Sequence, residues 1–302
     1  MKFSIIIRTL NEKKNLEVLF KILESQKSKS FEVILIDSGS TDGTLEFIDN
    51  YKFKFPFILT KINQSEFSFG RSLNRAIKLS TYKEVICCIS AHCFPQDNEF
   101  LTKLMAHFIN SNTGLVYGKQ IPDERSPLSE ANHLGSWFKD GYLNEPNIFC
   151  NNGCSAFKYE VWNMIKFDES ASGCEDLIFS HELYRKNLKV IYEPNAVVSH
   201  YHNENFKNIF NRYKREAMIV KSFLMFNYGL MDLIKCTLRE VLSDLSFRKN
   251  VNYKRRNLLS ILGYRISKNL GQYLAPNLKD TKTFHLDKKD RENLLKHYFY
   301  SL

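Results

Sequence analysis

Short apolar runs that alternate with helical segments constrain the fold of this chain more than any other feature of its sequence. The β-prone runs occupy residues 3–7, 31–36, 57–59 and 85–89. Helical spacing of apolar residues follows the first run, at positions 16, 19, 20 and 23, and helices are also expected from residue 45 and over 71–79. Strands that alternate with helices predict an α/β domain with a mostly parallel sheet flanked by helices. Because ligands bind beyond the carboxyl ends of such strands, we expect the loops at 8–12, 37–44 and 90–97 to converge.

The second half of the chain has a less regular pattern. Strands are predicted at 115–117, 155–157, 189–192 and 196–199, and helices at 159–165 and 176–186. From about residue 206 to the end, the pattern indicates helices separated by basic links. A chain of 302 residues, 43% of them hydrophobic, can bury a large core and carry an appendage. We therefore predict an α/β domain at 1–205 and a basic helical C-terminal region at 206–302.

Charge is distributed unevenly between these two parts. Residues 206–302 contain 20 Lys and Arg against 8 Asp and Glu, whereas residues 1–205 contain 23 against 25. The segments 219–245 and 252–274 mix basic and apolar residues, which is typical of helices that lie on an anionic membrane surface. The alternative is an ordinary helical subdomain that packs on the α/β domain or forms a homodimer. A nucleic-acid partner is not expected, because aromatic and basic residues do not interleave regularly.

Neither a secretory signal nor a membrane-spanning segment is expected from the sequence. The first apolar run ends at Arg8, and no run approaches the roughly 18 apolar residues that span a bilayer. The seven cysteines are odd in number, so we expect buried core residues rather than a disulfide framework. Cys150 and Cys154 have no second pair at zinc-site spacing. We expect a cytoplasmic protein, or one that is peripheral on the inner face of the cytoplasmic membrane.

Two polar loops that follow predicted strands have the composition of a nucleotide site. Arg8–Glu12 follows the first strand, and Asp37–Thr44 follows the second. Gly39 and Gly43 permit backbone conformations that other residues resist, and carboxylates can accept hydrogen bonds from ribose hydroxyls or an imide N–H. The alternative for both loops is helix capping, which Thr9, Asn11, Thr41 or Asp42 could provide.

Several motifs, taken in order, resemble family-2 inverting glycosyltransferases, which have the Rossmann-like GT-A fold. The resemblance covers roughly residues 3–215. It begins with Ile5–Glu12, Ile36–Thr44 and Phe69–Asn74, and it continues through Tyr117–Pro122, Glu175-Asp176 and Val198–His202, which are similar to rhamnosyltransferase members. As an ordered set these motifs are specific, although each alone would be weak.

The resemblance implies roles on the donor side. Thr9 and Glu12 would hold the base and ribose, Asp37 would contact the ribose or base, and Asp42 would read a uracil or thymine edge. Gly39 lies in the same loop, with no specific role assigned. Arg71 would reach the diphosphate, for which its planar fork is suited; the alternative is a surface arginine on a solvated helix face.

The acidic pair Glu175-Asp176 is the predicted catalytic centre. One positioned carboxylate suffices to take the proton of an acceptor hydroxyl in a single displacement. By resemblance Asp176 would be the base, and Glu175 would orient it or hold the acceptor. The alternative is that both acids only stabilise a helix N-terminus.

The metal motif of the family is altered in this chain. Ser90-Ala91-His92 stands where the family has Asp-x-Asp, whose carboxylates hold Mg²⁺ or Mn²⁺. Imidazole suits Mn²⁺ better than Mg²⁺, so a divalent metal is either bound weakly or replaced by histidine and basic residues. His200 and His202 alternate at a predicted strand end and would lie on one side of it, where one of them would face the diphosphate or its metal.

These observations predict an inverting glycosyltransferase that moves a sugar from UDP or dTDP to a hydroxyl of a polysaccharide or lipid-linked oligosaccharide. Two other readings remain open. A nucleotidyltransferase would share the core, but Arg8–Glu12 lacks a Gly-rich triphosphate loop. A degenerate nucleotide-sugar-binding module would explain Ser90 and His92, but not the retained Glu175-Asp176.

Overall fold

A computed structural model describes residues 1–141, 148–250, 257–277, 286 and 288–299. It forms two compact units. The first unit comprises residues 1–120, 140–171 and 175–200, and the second comprises 121–139, 172–174 and 201–302. The division at residue 205 thus stays a prediction about domains; in the structure, 121–139 and 172–174 cluster with the C-terminal residues.

Strands and helices alternate through the first half of the chain. The strands are β1 (Phe3–Thr9), β2 (Phe31–Asp37), β3 (Phe57–Lys61), β4 (Val85–Ile89), β5 (Cys93–Pro95), β6 (Thr113–Pro122), β7 (Cys154–Lys158) and β8 (Lys189–His200). The helices are α1 (Lys13–Ser25), α2 (Thr44–Asn50), α3 (Phe69–Ile77), α4 (Phe100–Met105), α5 (Leu128–Trp137), α6 (Tyr159–Ile165), α7 (Glu175–Arg185), α8 (Phe206–Leu224), α9 (Leu230–Phe247), α10 (Leu258–Leu274) and α11 (Lys288–Tyr298).

One sheet, ordered β3-β2-β1-β4-β7-β6-β8-β5, organises the first unit. Its strands β3, β2, β1 and β4 are parallel, and Thr9 pairs with Asp37 at the carboxyl ends of β1 and β2. The pairings β4–β7, β6–β7 and β5–β8 are antiparallel. The predicted α/β class is confirmed, and the parallel part of the sheet is confined to β3, β2, β1 and β4.

Burial explains why the first strands could be predicted from apolar runs in the sequence. All residues of β2 are buried, and β1 is buried except for Arg8. The predicted inward positions of α1, namely 16, 19, 20 and 23, are its buried residues. Phe20 contacts an aromatic cluster formed by Phe47, Tyr51, Phe53, Phe55 and Phe57. All seven cysteines are buried, as predicted for core residues.

The second unit is helical, and its helices approach closely. A Cβ on Gly271 of α10 would lie 2.5 Å from the carbonyl oxygen of Phe210 on α8, so only glycine allows this crossing. Leu128, Val241 and Ile261 form one small apolar cluster of this unit, and Ile209, Tyr213 and Tyr264 form another.

The interior of this unit also contains charge. Arg265 donates hydrogen bonds to both carboxylate oxygens of Asp244, and Glu240 accepts from Lys268. Two cations of the predicted basic tail are therefore buried in ion pairs and do not face solvent.

The tail predictions can be located only in part. Lys254–Arg256 lies outside the described residues. Within the described ranges, no helix combines the length and apolarity that crossing a bilayer requires.

Candidate active site

The loops after β1 and β2 meet, as expected for the carboxyl edge of parallel strands. The Asn11 side-chain oxygen accepts a hydrogen bond from the Thr41 backbone N–H at 2.7 Å, and the Asn11 N–H donates to Ser40 Oγ at 2.8 Å. The carbonyl of Thr9 accepts hydrogen bonds from both the N–H and the hydroxyl of Ser38. Thr9 itself is buried, and within the described part of the chain its hydroxyl oxygen has no hydrogen-bond partner.

Asp37 shapes the second loop. Its Oδ1 accepts hydrogen bonds from the N–H groups of Gly39 at 2.9 Å and Ser40 at 3.0 Å, and its Oδ2 accepts from the Ser40 hydroxyl. Gly39 has φ of 101°, a conformation that a side chain would strain. Gly39 is thus required by the turn, which keeps the buried Asp37 carboxylate at the end of β2.

Asp42 joins the loop to the start of α1 and α2. It accepts hydrogen bonds from the backbone N–H groups of Thr44 at 3.0 Å and Lys13 at 3.2 Å. Burial raises the pKa of Asp42, but the hydrogen bonds from Thr44 and Lys13 outweigh burial and lower it. The capping alternative considered for this residue therefore describes its contacts here, and a role toward the base stays a prediction.

Glu12 connects the first loop with the altered metal motif. Its Oε1 lies 2.7 Å from His92 Nδ1, and its N–H donates to Thr44 Oγ1 at 3.1 Å. The His92 ring stacks on His200, with ring centroids 5.1 Å apart. The expected convergence of all three loops is confirmed by these contacts.

His200 is the last residue of β8, and its Nδ1 lies 2.6 Å from Gln120 Oε1. His202 lies beyond the strand, in the second unit, where its Nδ1 is 2.6 Å from Glu130 Oε1. Strand alternation does not extend to His202, because β8 ends at His200. A shared role of the two imidazoles toward the diphosphate or its metal stays a prediction.

The acidic pair begins α7. Glu175 is buried and forms an ion pair with Arg8, whose Nη1 is 3.2 Å from Glu175 Oε1. The guanidinium of Arg8 also lies over the ring of Phe69, 4.8 Å from its centroid. Arg8, next to the carboxyl end of β1, therefore supplies a cation to the predicted catalytic centre.

Asp176 is held by backbone donors. Its Oδ2 accepts the N–H of Asn152 at 2.9 Å, and its Oδ1 accepts its neighbour Leu177 N–H at 2.8 Å. Burial and the negative charge of Glu175 raise the pKa of Asp176 from its ordinary 3.8 to about 7, against the opposing effect of these hydrogen bonds and of Arg8. A carboxylate with a pKa near neutrality can accept a proton and release it again at physiological pH.

Arg71 and Gly70 have evident structural partners. Arg71 Nε is 3.1 Å from Glu169 Oε2, and its Nη1 donates to the carbonyl of Glu66 at 2.9 Å. A Cβ at Gly70 would lie 2.1 Å from the carbonyl oxygen of Asp168, which explains the glycine by packing. The assignment of Arg71 to the diphosphate stays a prediction.

Three further residues belong to this site but were not singled out from the sequence. Arg8 contacts Glu175, and Gln120 contacts His200. Asn152 contacts both Glu175 and Asp176. The polar turn Asn151-Asn152-Gly153 immediately before β7 was the available signal, but Gln120, Glu175 and Asp176, which it contacts in the site, are more than 20 residues away along the chain.

A family model and two relatives match the sequence of this chain. The model for glycosyl transferase family 2 matches residues 4–165, more than half of the chain. An O-antigen chain rhamnosyltransferase, RfbN, of Salmonella typhimurium is 25% identical over 224 residues, which cover 70% of each chain. WbaN of Salmonella anatum, also an O-antigen chain rhamnosyltransferase, is 22% identical and the match covers 64% of each.

Solved structures share the fold. The mannosyltransferase PcManGT of Pyrobaculum calidifontis, in complex with GDP-Man and Mn²⁺, superposes with a TM-score of 0.61 at 15% identity, covering 90% of this chain and 87% of that one. Residues 1–349 of TarS from S. aureus, in complex with UDP-GlcNAc, give a TM-score of 0.55 at 19% identity and 95% and 98% coverage. The chain, with its mixed sheet, its convergent loops and the acidic pair at the start of α7, belongs to glycosyl transferase family 2.

Proposed function

We propose that this glycosyltransferase transfers a sugar, with inversion, from UDP or dTDP to a hydroxyl of a polysaccharide or lipid-linked oligosaccharide. Asp176 carries the proposal. It is a carboxyl group with a pKa near neutrality, oriented by the Asn152 N–H beside the Arg8–Glu175 ion pair. That is the protonation behaviour that a general base for a hydroxyl requires.

The reaction needs one displacement. Asp176 takes the proton of the acceptor hydroxyl while that oxygen forms a bond to the anomeric carbon. The bond from the anomeric carbon to the diphosphate oxygen breaks, and nucleoside diphosphate leaves with the bonding electron pair. Glu175 stays paired with Arg8 and keeps negative charge next to Asp176, which favours proton uptake by the base.

Thr9, Glu12 and Asp37 would bind the nucleoside, where the loop after β1 meets the loop that Gly39 shapes. The buried hydroxyl of Thr9 and the Asp37 carboxylate lie on paired residues at the ends of adjacent strands. Complexes of relatives of the same fold with GDP-Man and UDP-GlcNAc support a nucleotide-sugar donor. The O-antigen rhamnosyltransferases support a bacterial surface polysaccharide as the product.

The residues present fit a divalent metal of one kind. His92 and His200 offer imidazole nitrogens, and these donors suit Mn²⁺ better than Mg²⁺. The Mn²⁺ in the PcManGT complex supports this choice. When bound, the ion would neutralise charge on the diphosphate.

Calorimetric titration with UDP and dTDP, each with Mn²⁺ and with EDTA, tests the donor site. We expect binding of one or both nucleotides, strengthened by Mn²⁺. Binding of neither would contradict the proposal. In the presence of donor and acceptor, release of nucleoside diphosphate supports transfer, release of pyrophosphate supports a nucleotidyltransferase, and binding without turnover supports a degenerate module.

Association with an anionic membrane is the second part of the proposal, and α9 supports it. Met231, Ile234, Leu238 and Leu242 are spaced along one face of the helix, and 61% of Met231 and 66% of Leu242 is exposed. Such spacing forms an amphipathic face.

The charges of α9 are sorted in a way that favours anionic lipid. Glu240 and Asp244 are buried and compensated by Arg265 and Lys268, whereas Lys235 is exposed next to the apolar face. Arg239, Arg248 and Lys249 add exposed positive charge. Apart from the partly exposed Asp232, which accepts the Gly229 N–H at the start of the helix, acidic groups of α9 point inward. An apolar stripe bordered by cations complements a phosphatidylglycerol surface.

Flotation of the full chain with vesicles of phosphatidylcholine, with and without phosphatidylglycerol, tests this surface. We expect binding to the anionic vesicles, and its loss in the triple variant Ile234→Ser, Leu238→Ser, Leu242→Ser. The matched control replaces exposed apolar residues of the first unit, Val18, Leu79 and Met164, by serine. Equal binding by both variants would contradict the assignment. If the wild type binds neither kind of vesicle but forms a dimer, and the triple variant is monomeric, the apolar face of α9 would be assigned to a second copy of the chain.

A further inference from the structure

A chain of hydrogen bonds in the first unit determines which nitrogen of His200 carries hydrogen. It begins at the Gly153 backbone N–H, which can only donate and lies 2.8 Å from the Asn151 side-chain oxygen. This contact fixes that atom as Oδ1, an acceptor.

The next contact orients Gln120. Its side-chain nitrogen lies 2.8 Å from the same Asn151 Oδ1, and only the Gln120 NH₂ group can donate there. The other end of the amide, Oε1, therefore faces His200. Gln120 is 1% exposed, so its amide is held inside the protein by these partners.

The last contact fixes the imidazole. Gln120 Oε1 is an acceptor 2.6 Å from His200 Nδ1, so Nδ1 must carry the hydrogen. In neutral histidine the other nitrogen, Nε2, then has the lone pair. Histidines that bind metals commonly donate the opposite N–H to a carbonyl or carboxylate, which fixes their tautomer.

We propose that Gln120 is a positioning residue that holds His200 in the Nδ1–H tautomer, so that the Nε2 lone pair is available to a divalent cation. Asn151 and the backbone of Gly153 support it. The carbonyl of Gly153 also accepts the Ser90 N–H at 3.1 Å, which ties the same turn to the loop that carries His92. The stacked ring of His92 restricts the tilt of His200.

Gly153 has a steric part in this arrangement. A Cβ at this position would lie 2.5 Å from Gln120 Nε2 and 2.9 Å from Asn151 Oδ1. Gly153→Ala should therefore displace the Gln120 amide without changing any polar group. This substitution provides a second way to interrupt the chain of hydrogen bonds.

The use of the lone pair by a cation rests on the proposed function, whereas the tautomer does not, so the two can fail separately. Long-range ¹H–¹⁵N correlation spectra of the full chain, with ¹⁵N-labelled histidine at about pH 8, above the ordinary histidine pKa, distinguish the tautomers. His200→Asn assigns the resonance. We expect the Nδ1–H pattern in the wild type and a shift toward Nε2–H in both Gln120→Met and Gly153→Ala.

Two controls separate positioning from general damage. His107, whose Nε2 contacts Glu193 at 2.7 Å, should keep its resonances in every variant, and Gln96→Met, a change at an exposed glutamine, should leave His200 unchanged. An Nε2–H pattern in the wild type, or an unchanged pattern in both Gln120→Met and Gly153→Ala, would overturn the proposal.

Calorimetry with Mn²⁺ alone tests the use of the lone pair. Gln120→Met should weaken Mn²⁺ binding by about 10–100-fold, the usual effect of losing such a supporting group. An unchanged Mn²⁺ affinity despite a changed tautomer would overturn the assignment of the lone pair to a cation. Nucleotide binding in EDTA, which tests the proposed donor site, is expected to be the same in the variant and the wild type.

Discussion

Two acidic pairs, one in each compact unit, differ in how completely their charges are compensated. Glu240 and Asp244 in the second unit face two cations, Arg265 and Lys268. For Glu175 and Asp176 in the first unit, the described residues supply one cation within ion-pair distance, Arg8, which contacts Glu175. The consequence appears in the pKa values. The effect of burial on the pKa of Glu240 is outweighed by the charges of Lys268 and Arg265, so that pKa is lowered. The pKa of Asp176 is raised, because burial and the charge of Glu175 act in the same direction.

The difference teaches that burial alone does not identify a catalytic acid. A fully compensated pair stays ionised and stabilises the packing of helices. An undercompensated pair has a proton affinity near the working pH and can exchange that proton with a substrate. Four experiments test this distinction.

Asp176→Asn should have the largest effect. Loss of the base should reduce turnover by about 10²–10⁴-fold, measured as release of nucleoside diphosphate in the presence of acceptor. Donor affinity should change little, because the amide keeps the shape of the side chain. Glu182→Gln, at a partly exposed acid on the same helix, is the matched control and should retain full turnover. Full turnover in Asp176→Asn would remove this residue from the role of base.

Arg265→Met tests the compensated pair. Removing this cation leaves Asp244, which is fully buried, and Glu240 with unbalanced charge, so urea denaturation should show a loss of about 3–5 kcal/mol in the free energy of unfolding. Arg185→Met removes an exposed arginine paired with Glu182 and should cost less than about 1 kcal/mol. A similar cost for both variants would mean that the buried network is not a stabilising element.

The pH dependence of stability should have opposite sign in the two pairs. The folded-state pKa of Asp176 is raised, so its contribution to stability is present below pH 3.8 and is lost as the pH rises to about 7. Asp176→Asn should therefore gain stability relative to the wild type across that window, by at most about 1.4 kcal/mol per pH unit, and the difference should be constant above it.

For Glu240 the pKa is lowered, so its contribution is present above the unfolded value of 4.5 and is lost as the pH falls. Glu240→Gln should be less stable than the wild type at neutral pH, and the difference should narrow only below pH 4.5. Thermal denaturation between acid and neutral pH checks both slopes. Slopes of the same sign would contradict the comparison.

Arg8→Met should have the smallest effect, a displacement of the pH–rate profile. The charge of Arg8 lowers the pKa of Asp176, so without it the rising limb of kcat/KM should move to higher pH. Arg75→Met is the matched control, because Arg75 is half exposed and pairs weakly with Glu66 at 3.9 Å. A lower rate with an unmoved profile would assign Arg8 to packing against Phe69 instead.

Sequence patterns between residues close in the chain were enough to predict part of the fold and of the candidate site. The strands β1, β2 and β4, the buried face of α1 and the start of α7 follow from apolar runs and spacing, because these patterns act between residues close in the chain. Motif order located Glu175-Asp176 and the two loops at the edge of the parallel strands. The identity of the family follows from the same ordered motifs.

Interactions between distant residues determined the rest. The sequence by itself placed acids, histidines and glycines in polar loops, but a residue's charge state and tautomer depend on what surrounds it. Arg8 meets Glu175 across 167 positions, and Gln120 meets His200 across 80. Likewise, only helix packing showed that Arg265 and Lys268 are buried while the apolar face of α9 is exposed. Desolvation and hydrogen bonding act through space, so tertiary structure decided which of these groups perform chemistry and which hold the fold together.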